Sequence, residues 1–268
     1  MRVLTIASQK GGVGKSTLAL NLSFSLARRG WRVVLVDADA QGAIGLSLAR
    51  SKRSTAGLSE WIEQGGSAEQ YMLSTRIASL RILTVGHVPA SSTAPFGERL
   101  ANGEVLRQLT TTLEGGADVV VIDTPAGFGH ATIGAIRAAT HVLTPLHAEP
   151  VGLRSATQML EAMAVLREQG ARARFSGFVV SMLQSRDRAS MVVAETAWRQ
   201  LPEGLVLQTM IPRDTAFLAA SAAGVPLGLL GQRPPAVASV FDQLAAELET
   251  RIDLKDPDDD DGPISFLD

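Results

Sequence analysis

Short, continuous apolar runs alternate with amphipathic stretches along most of the chain. Runs such as WRVVLVD and VVVID are rich in β-branched residues and bounded by polar or glycine-containing segments, the pattern of central strands buried on both faces. They predict strands over residues 2–7, 32–37, 81–85, 118–123, 141–145, 174–182 and 205–210. Apolar positions at helical spacing predict helices over 15–29, 104–114, 151–168, 187–200 and 235–251. That alternation implies an α/β fold in three layers, a mainly parallel, twisted sheet flanked by helices on both faces. Residues 51–79 are polar and glycine-containing with weak helical patches, and read as an insertion over the sheet's edge. No internal repeat interrupts the pattern.

With 268 residues the chain suits one large α/β domain. An apolar content of 46% and a net charge of only -2 exclude disorder for most of its length. There are no cysteines, which excludes disulfide frameworks, cysteine nucleophiles, iron–sulfur clusters and thiolate zinc sites, and fits a reducing compartment. The opening MRVLTIASQKGG is interrupted too soon for a secretory signal. The longest uncharged stretch, 215–232, is broken by Gly224, Pro226, Gly228 and Gly231, so no membrane span is expected and a cytoplasmic protein is the default. The segment DPDDDDGP, 256–263, places five carboxylates in eight residues and cannot pack into a core. Residues 1–254 are therefore expected to form the folded domain, and 255–268 a disordered acidic tail. The tail reads either as a solubilising end or as an interaction or autoinhibitory segment, with Ile264, Phe266 and Leu267 as an apolar hook.

The first strand runs directly into SQKGGVGKST, residues 8–17, and then into an amphipathic helix. A glycine-rich turn there lets backbone N–H groups approach phosphate oxygens, and the helix N-terminus adds its positive end. Lys15 is placed to reach terminal phosphates, Ser16 to coordinate magnesium and Thr17 to bind the first phosphate. A strict phosphate loop has glycine five residues before Gly14; here Gln9 stands there and a second lysine, Lys10, opens the loop. Glycines that merely turned the chain would leave two lysines and a hydroxyl unexplained. Downstream, Asp37 and Asp39 close the second strand and Asp123 closes VVVID. Carboxyl ends of neighbouring parallel strands converge on the ligand crevice, and acids beside a triphosphate repel it unless magnesium or an attacking water lies between. Asp123 thus reads as the carboxylate that holds magnesium through water. The alternative, that the three aspartates stop strands and cap helices, is as good for any one alone but weaker for all three together.

KGGVGKS resembles the deviant Walker A motif of the ParA/MinD class of ATPases, which includes the ParA/Soj-type partitioning ATPases. The resemblance continues through VVLVDADAQG (33–42), VVVIDTPAG (119–127) and IPRDT (211–215), nearly the whole folded chain. It implies a P-loop NTPase-like fold that hydrolyses ATP to ADP and phosphate with Mg2+. The matching ATP-binding positions are Lys10, Gly11, Gly12, Val13, Gly14, Lys15, Ser16 and Thr17, with Pro212 and Arg213 on the adenine side. By the same resemblance Asp37 supports the metal shell with Ser16 and Asp123, and Asp39 positions or polarises the hydrolytic water. Lys10 crosses a dimer interface to the partner's phosphates, so Lys10, Lys15 and Asp39 are the expected catalytic set. A second cation at a phosphoryl-transfer transition state is also sound on physical grounds, as with an arginine finger. Thr124–Gly127 resembles the switch that senses the terminal phosphate. The chain departs from the family at Ala40, where DADAQG replaces the usual proline-containing loop. Ser181 is a weaker nucleotide candidate, and Glu149 either faces a partner or the ribose or caps the helix that follows.

The resemblance implies an ATP-dependent homodimer that binds nonspecific DNA, is stimulated by a ParB-like or other small adaptor, and is cytoplasmic and nucleoid-associated. Its cargo would be a chromosome, plasmid, carboxysome or chemosensory cluster. Arg186 and Arg188 in QSRDRAS are the DNA candidates, with Arg154, Arg167, Arg172 and Arg174 as extensions of a basic stripe. Ala216 and Ala219 stand where the family carries a basic residue and a glutamate, which counts against DNA binding; a solvated helix face also explains the arginines. A MinD-like membrane cycle needs a basic amphipathic C-terminal helix, whereas acids outnumber the single Arg251 in 237–252, so no membrane partner is expected. A metabolic enzyme of the same fold, such as an ATP-dependent ligase, is the third reading, but no substrate motif supports one. His87, His130, His141 and His147 show no metal-ligand spacing and are assigned no chemistry.

Overall fold

The computed structural model describes residues 1–48 and 56–254, so the expected acidic tail and part of the 51–79 insertion lie outside the described residues. Strand β1 (Arg2–Ile6) leads into α1 (Lys15–Arg28), followed by β2 (Val33–Asp37), α2 (Ala43–Leu46) and α3 (Leu58–Gln64). Then come β3 (Leu73–Ser74), β4 (Leu80–Leu83), α4 (Thr93–Leu100), α5 (Glu104–Thr112), β5 (Val119–Asp123) and α6 (His130–Ala138). The chain continues through β6 (His141–His147), α7 (Pro150–Glu168), β7 (Arg174–Ser181), α8 (Arg188–Gln200), α9 (Ala216–Ala223) and α10 (Ser239–Arg251). The strands form a seven-stranded sheet in the order β3-β4-β2-β5-β1-β6-β7, parallel except for β3 against β4.

The pleat divides the core. On β5, Val119 and Val121 join Leu4, Leu35 and the buried faces of α1 and α10, while Val120 and Ile122 join Val34, Val36 and residues of α4, α5 and α6. Helices on both faces are why β2 and β5 are buried at every position, and why these strands read as unbroken apolar runs. A third cluster packs Val142, Phe178 and Val180 against Ala156, Met159 and Leu166 of α7 and Ala194 and Ala197 of α8. Helix α10 docks on the sheet, burying Phe241, Leu244, Ala245 and Leu248. Among the described residues no helix is long and apolar enough to cross a membrane.

Three expectations need correction. Residues 205–210 do not form a strand. The segment meets the β7 edge at one isolated bridge, Phe178 with Val206, and just past it the Ile211 N–H donates to the Val180 carbonyl at 2.8 Å and Pro212 bridges to Leu183 beyond the strand. Between them the Gln208 and Thr209 N–H groups donate to the Glu247 carboxylate of α10, at 2.9 and 3.0 Å, instead of to a strand. The seventh strand is β3, supplied by the insertion. Strand β6 runs on through Pro145 to His147, because β1 pairs with it only as far as Leu143 and beyond that the proline breaks no ladder bond on the β1 side. Helices α2, α4, α6 and α9 were not expected either, whereas α3 lies in the segment read as having weak helical patches. In α9, AFLAASAA is apolar without periodicity, and α6 carries Gly134, where a Cβ would collide with the Leu100 carbonyl of the closely packed α4.

Candidate active site

The register places Ile6 beside Asp123 and Asp123 beside Asp37, so β1, β5 and β2 end together at one edge of the sheet. The loop after β1 is fastened on several sides. Thr124 Oγ1 donates to the Ile6 carbonyl at 2.8 Å, Gly127 N to the Ser8 carbonyl at 3.1 Å, and Ser181 Oγ to the Val13 carbonyl at 3.1 Å. Gly12 and Gly14 sit at φ 72° and 89°, a left-handed geometry open to glycine, and Gly14 hands the chain to α1 without a side-chain cap. The first N–H groups of α1 are therefore left for a ligand.

Lys15 opens α1 and is buried, and burial lowers its pKa while the charges of Asp123 and Asp39 raise it. Asp123 is fully buried, and neither carboxylate oxygen has a hydrogen bond of regular geometry. Burial pushes its carboxyl up to about 7, although the neighbouring Ser16 hydroxyl and the Lys15 ammonium pull it back. Asp37, also fully buried, has both oxygens engaged: they accept from Asp39 N at 3.1 Å and Ile44 N at 3.2 Å. Its carboxyl is raised well above the usual range by burial and by Asp123. Asp37 therefore does the local capping that the sequence left open, and fixes the turn carrying Asp39. Asp39 is partly exposed and closes that turn by accepting from Gln41 N at 2.9 Å.

A cavity of about 740 Å³ adjoins the loop, lined by Val13, Gly14, Thr17, His147, Glu149, Ser181 and Met182. Pro212, Arg213, Phe217 and Leu218 line it too, so the fold brings the expected adenine-side pair to the phosphate loop. The size suits a nucleoside. Met182 is a residue the sequence reading missed; it is held at φ 55°, unusual for a side chain of its kind, and nothing in its local sequence signals it. The histidine dismissed earlier also belongs here: His147 Nδ1 lies 3.3 Å from Lys10 Nζ and 3.2 Å from Glu149 Oε2.

The basic residues separate. Arg186 and Arg188 are exposed at the start of α8, at the same end of the sheet as the cavity. Arg154 stands near that end of α7, but Arg167 is thirteen residues further along the helix, roughly 20 Å away at 1.5 Å per residue. Arg172 and Arg174 share the far end, where Arg174 meets Asp253 at 3.8 Å. The six arginines thus do not form one stripe.

The donor set fits a magnesium–triphosphate. A buried carboxylate without a regular hydrogen bond, beside a hydroxyl, suits a hydrated cation, and a buried lysine at an uncapped helix N-terminus suits an anion. Ser16 and Asp123 would hold the metal, and the loop N–H groups with Lys15 the phosphates.

Known proteins match the chain over most of its length. The AAA domain family (AAA_31) matches residues 1–175. The chromosome partitioning protein ParA of Caulobacter vibrioides is 30% identical over 256 residues, covering 94% of this chain and 95% of that protein. Among solved structures, the McdA–ATP complex of Cyanothece shares the fold with a TM-score of 0.79 at 23% identity, covering 92% of this chain and 96% of that one. Cobyrinic acid a,c-diamide synthase of Mycobacterium smegmatis, with bound ATP analogue and magnesium, aligns at a TM-score of 0.74 and 25% identity, over 92% of this chain and 94% of that one.

Proposed function

The chain belongs to the AAA domain family, in its ParA/MinD class of ATPases that use ATP and Mg2+, and from that premise we propose that it is a partitioning switch. ATP joins two copies face to face across the phosphate loops, the dimer gains affinity for nonspecific DNA, and an adaptor of the ParB kind stimulates hydrolysis and separates the copies. The cargo is a chromosome, by analogy with the Caulobacter relative, and the protein works in the cytoplasm on the nucleoid.

The observation that carries the reading is the division between the two lysines of the loop. Lys15 is buried toward Asp123 and Asp39, whereas Lys10 lies at the outer rim with 31% of its side chain exposed. A cation on the rim is reachable by phosphates held in another molecule, where it would neutralise charge that develops during transfer. Exposed Val151 and Leu218, the latter lining the cavity, give the same face an apolar component that a second copy would cover.

Within one copy, Lys15 and the loop N–H groups orient the triphosphate, and Pro212 and Arg213 border the base. Magnesium, when bound, neutralises the phosphate oxygens. Asp39, on a turn fixed by Asp37, faces the site and orients the attacking water. Arg186 and Arg188 supply phosphate contacts to DNA, which are blind to sequence and weakened by salt. Small-angle scattering with a non-hydrolysable ATP analogue and magnesium tests the switch: a doubled mass is expected, and single molecules at saturating ligand would overturn it.

A further inference from the structure

Glu149 stands at the N-cap of α7 yet makes no side-chain cap bond to that helix. Its carboxylate reaches across the loop end instead and accepts from Lys10 Nζ at 2.9 Å. His147 closes the group, and the Lys10 hydrogen bond holds the Glu149 carboxyl below its usual range, with His147 and Arg213 adding to the effect. Both His147 and Glu149 line the nucleotide cavity. Helix capping was one explanation of Glu149, and the geometry removes it.

We infer that Glu149 is a positioning residue for Lys10: it latches the rim lysine within its own chain, and a dimer forms only when a partner's phosphates draw the lysine away. This rests on the dimer reading above. The strength of the pair suits a latch. Its side chains are 31% and 49% exposed, and an exposed ion pair of this kind biases an equilibrium by roughly twofold to fivefold, too little to support the fold and enough to set a threshold. An unpaired carboxylate at the mouth of a cavity for a polyanion repels the ligand's phosphates. Pairing with Lys10 masks that charge until the lysine is needed.

Two measurements on the full chain separate the latch from the dimer. In the nucleotide-free protein, Lys10 is labelled with an amine-reactive succinimidyl ester and read by peptide mass spectrometry, with the buried Lys15 as internal reference. Glu149→Gln should raise the Lys10 labelling rate roughly twofold to fivefold. Glu149→Asp, which keeps the charge, should remain nearer the wild type. With the ATP analogue and magnesium, Glu149→Gln should dimerise at a lower concentration, by the square of that factor because two latches open per dimer. Unchanged labelling overturns the latch. Faster labelling with weaker dimerisation also overturns it, since Glu149 would then be making a contact of its own across the interface. Faster labelling in a chain that never dimerises upholds the latch and refutes the dimer.

Discussion

Replacing Asp123 by asparagine should stabilise the empty protein while removing its response to Mg·ATP. The carboxyl titrates at about 7 instead of 3.8 because burial penalises its charge. Its folded pKa is raised, so the native state binds more protons than the unfolded one between those values, and stability falls as pH rises through that window. By pH 8 the loss is nearly complete, and the rise from 3.8 to about 7 corresponds to about 4 kcal/mol. The asparagine amide removes the charge but inherits the lack of partners, at about 1–3 kcal/mol. The net gain at pH 8 is therefore about 1–3 kcal/mol, or roughly 2–10 °C in Tm for a domain of this size. Differential scanning fluorimetry at pH 6 and pH 8, with and without Mg·ATP, measures both halves. The wild type should lose stability toward pH 8 and recover it with Mg·ATP, while Asp123→Asn should be flatter with pH and unresponsive to ligand. A variant no more stable than wild type at pH 8, and equally stabilised by Mg·ATP, would refute the view that Asp123 is an incompletely compensated charge awaiting a cation.

Lys15→Ala should lower ATP affinity by at least a hundredfold in calorimetry, because it removes the buried cation facing the phosphate site. Asp39→Ala should leave binding intact and lower turnover by roughly a hundredfold or more, accumulating the dimer in ATP; phosphate release at the wild-type rate would count against it. Arg186→Glu with Arg188→Glu should weaken DNA binding in filter assays and lessen its salt dependence without changing dimer formation. His141→Gln should flatten acid destabilisation. His141 is buried and unpartnered at Nε2, and its pKa falls to about 4 through burial and the nearby Arg2 and Arg174. The unfolded chain therefore takes up the proton first, and as pH drops from 6.5 toward 4 the wild type should lose up to about 3 kcal/mol, measured by urea titration at each pH.

The chain's sequence determined the elements whose chemistry is local. KGGVGKST sits between a strand and a helix, and its glycines permit the left-handed turns that Gly12 and Gly14 adopt. The strands VVLVD and VVVID announced their burial on both faces, and with it the convergence of Asp37, Asp39 and Asp123. What stayed hidden depends on partners distant along the chain. Residues 205–210 carry strand-like side chains, but Glu247, 38 residues from Thr209, takes the N–H groups that a strand would need. The two lysines look alike in sequence; only the packing of β6 beside the loop sends one to Glu149 and His147, 139 and 137 positions away, and buries the other toward Asp123. Asp37 and Asp123 both end strands with the same residue, yet backbone N–H groups bind both oxygens of the first, while those of the second make no hydrogen bond of regular geometry and are left to the Ser16 hydroxyl and the Lys15 charge. Side-chain type and local spacing set which chemistry the site can offer. Burial and hydrogen-bond pairing, which exist only once distant segments meet, decide which of those groups are free to perform it.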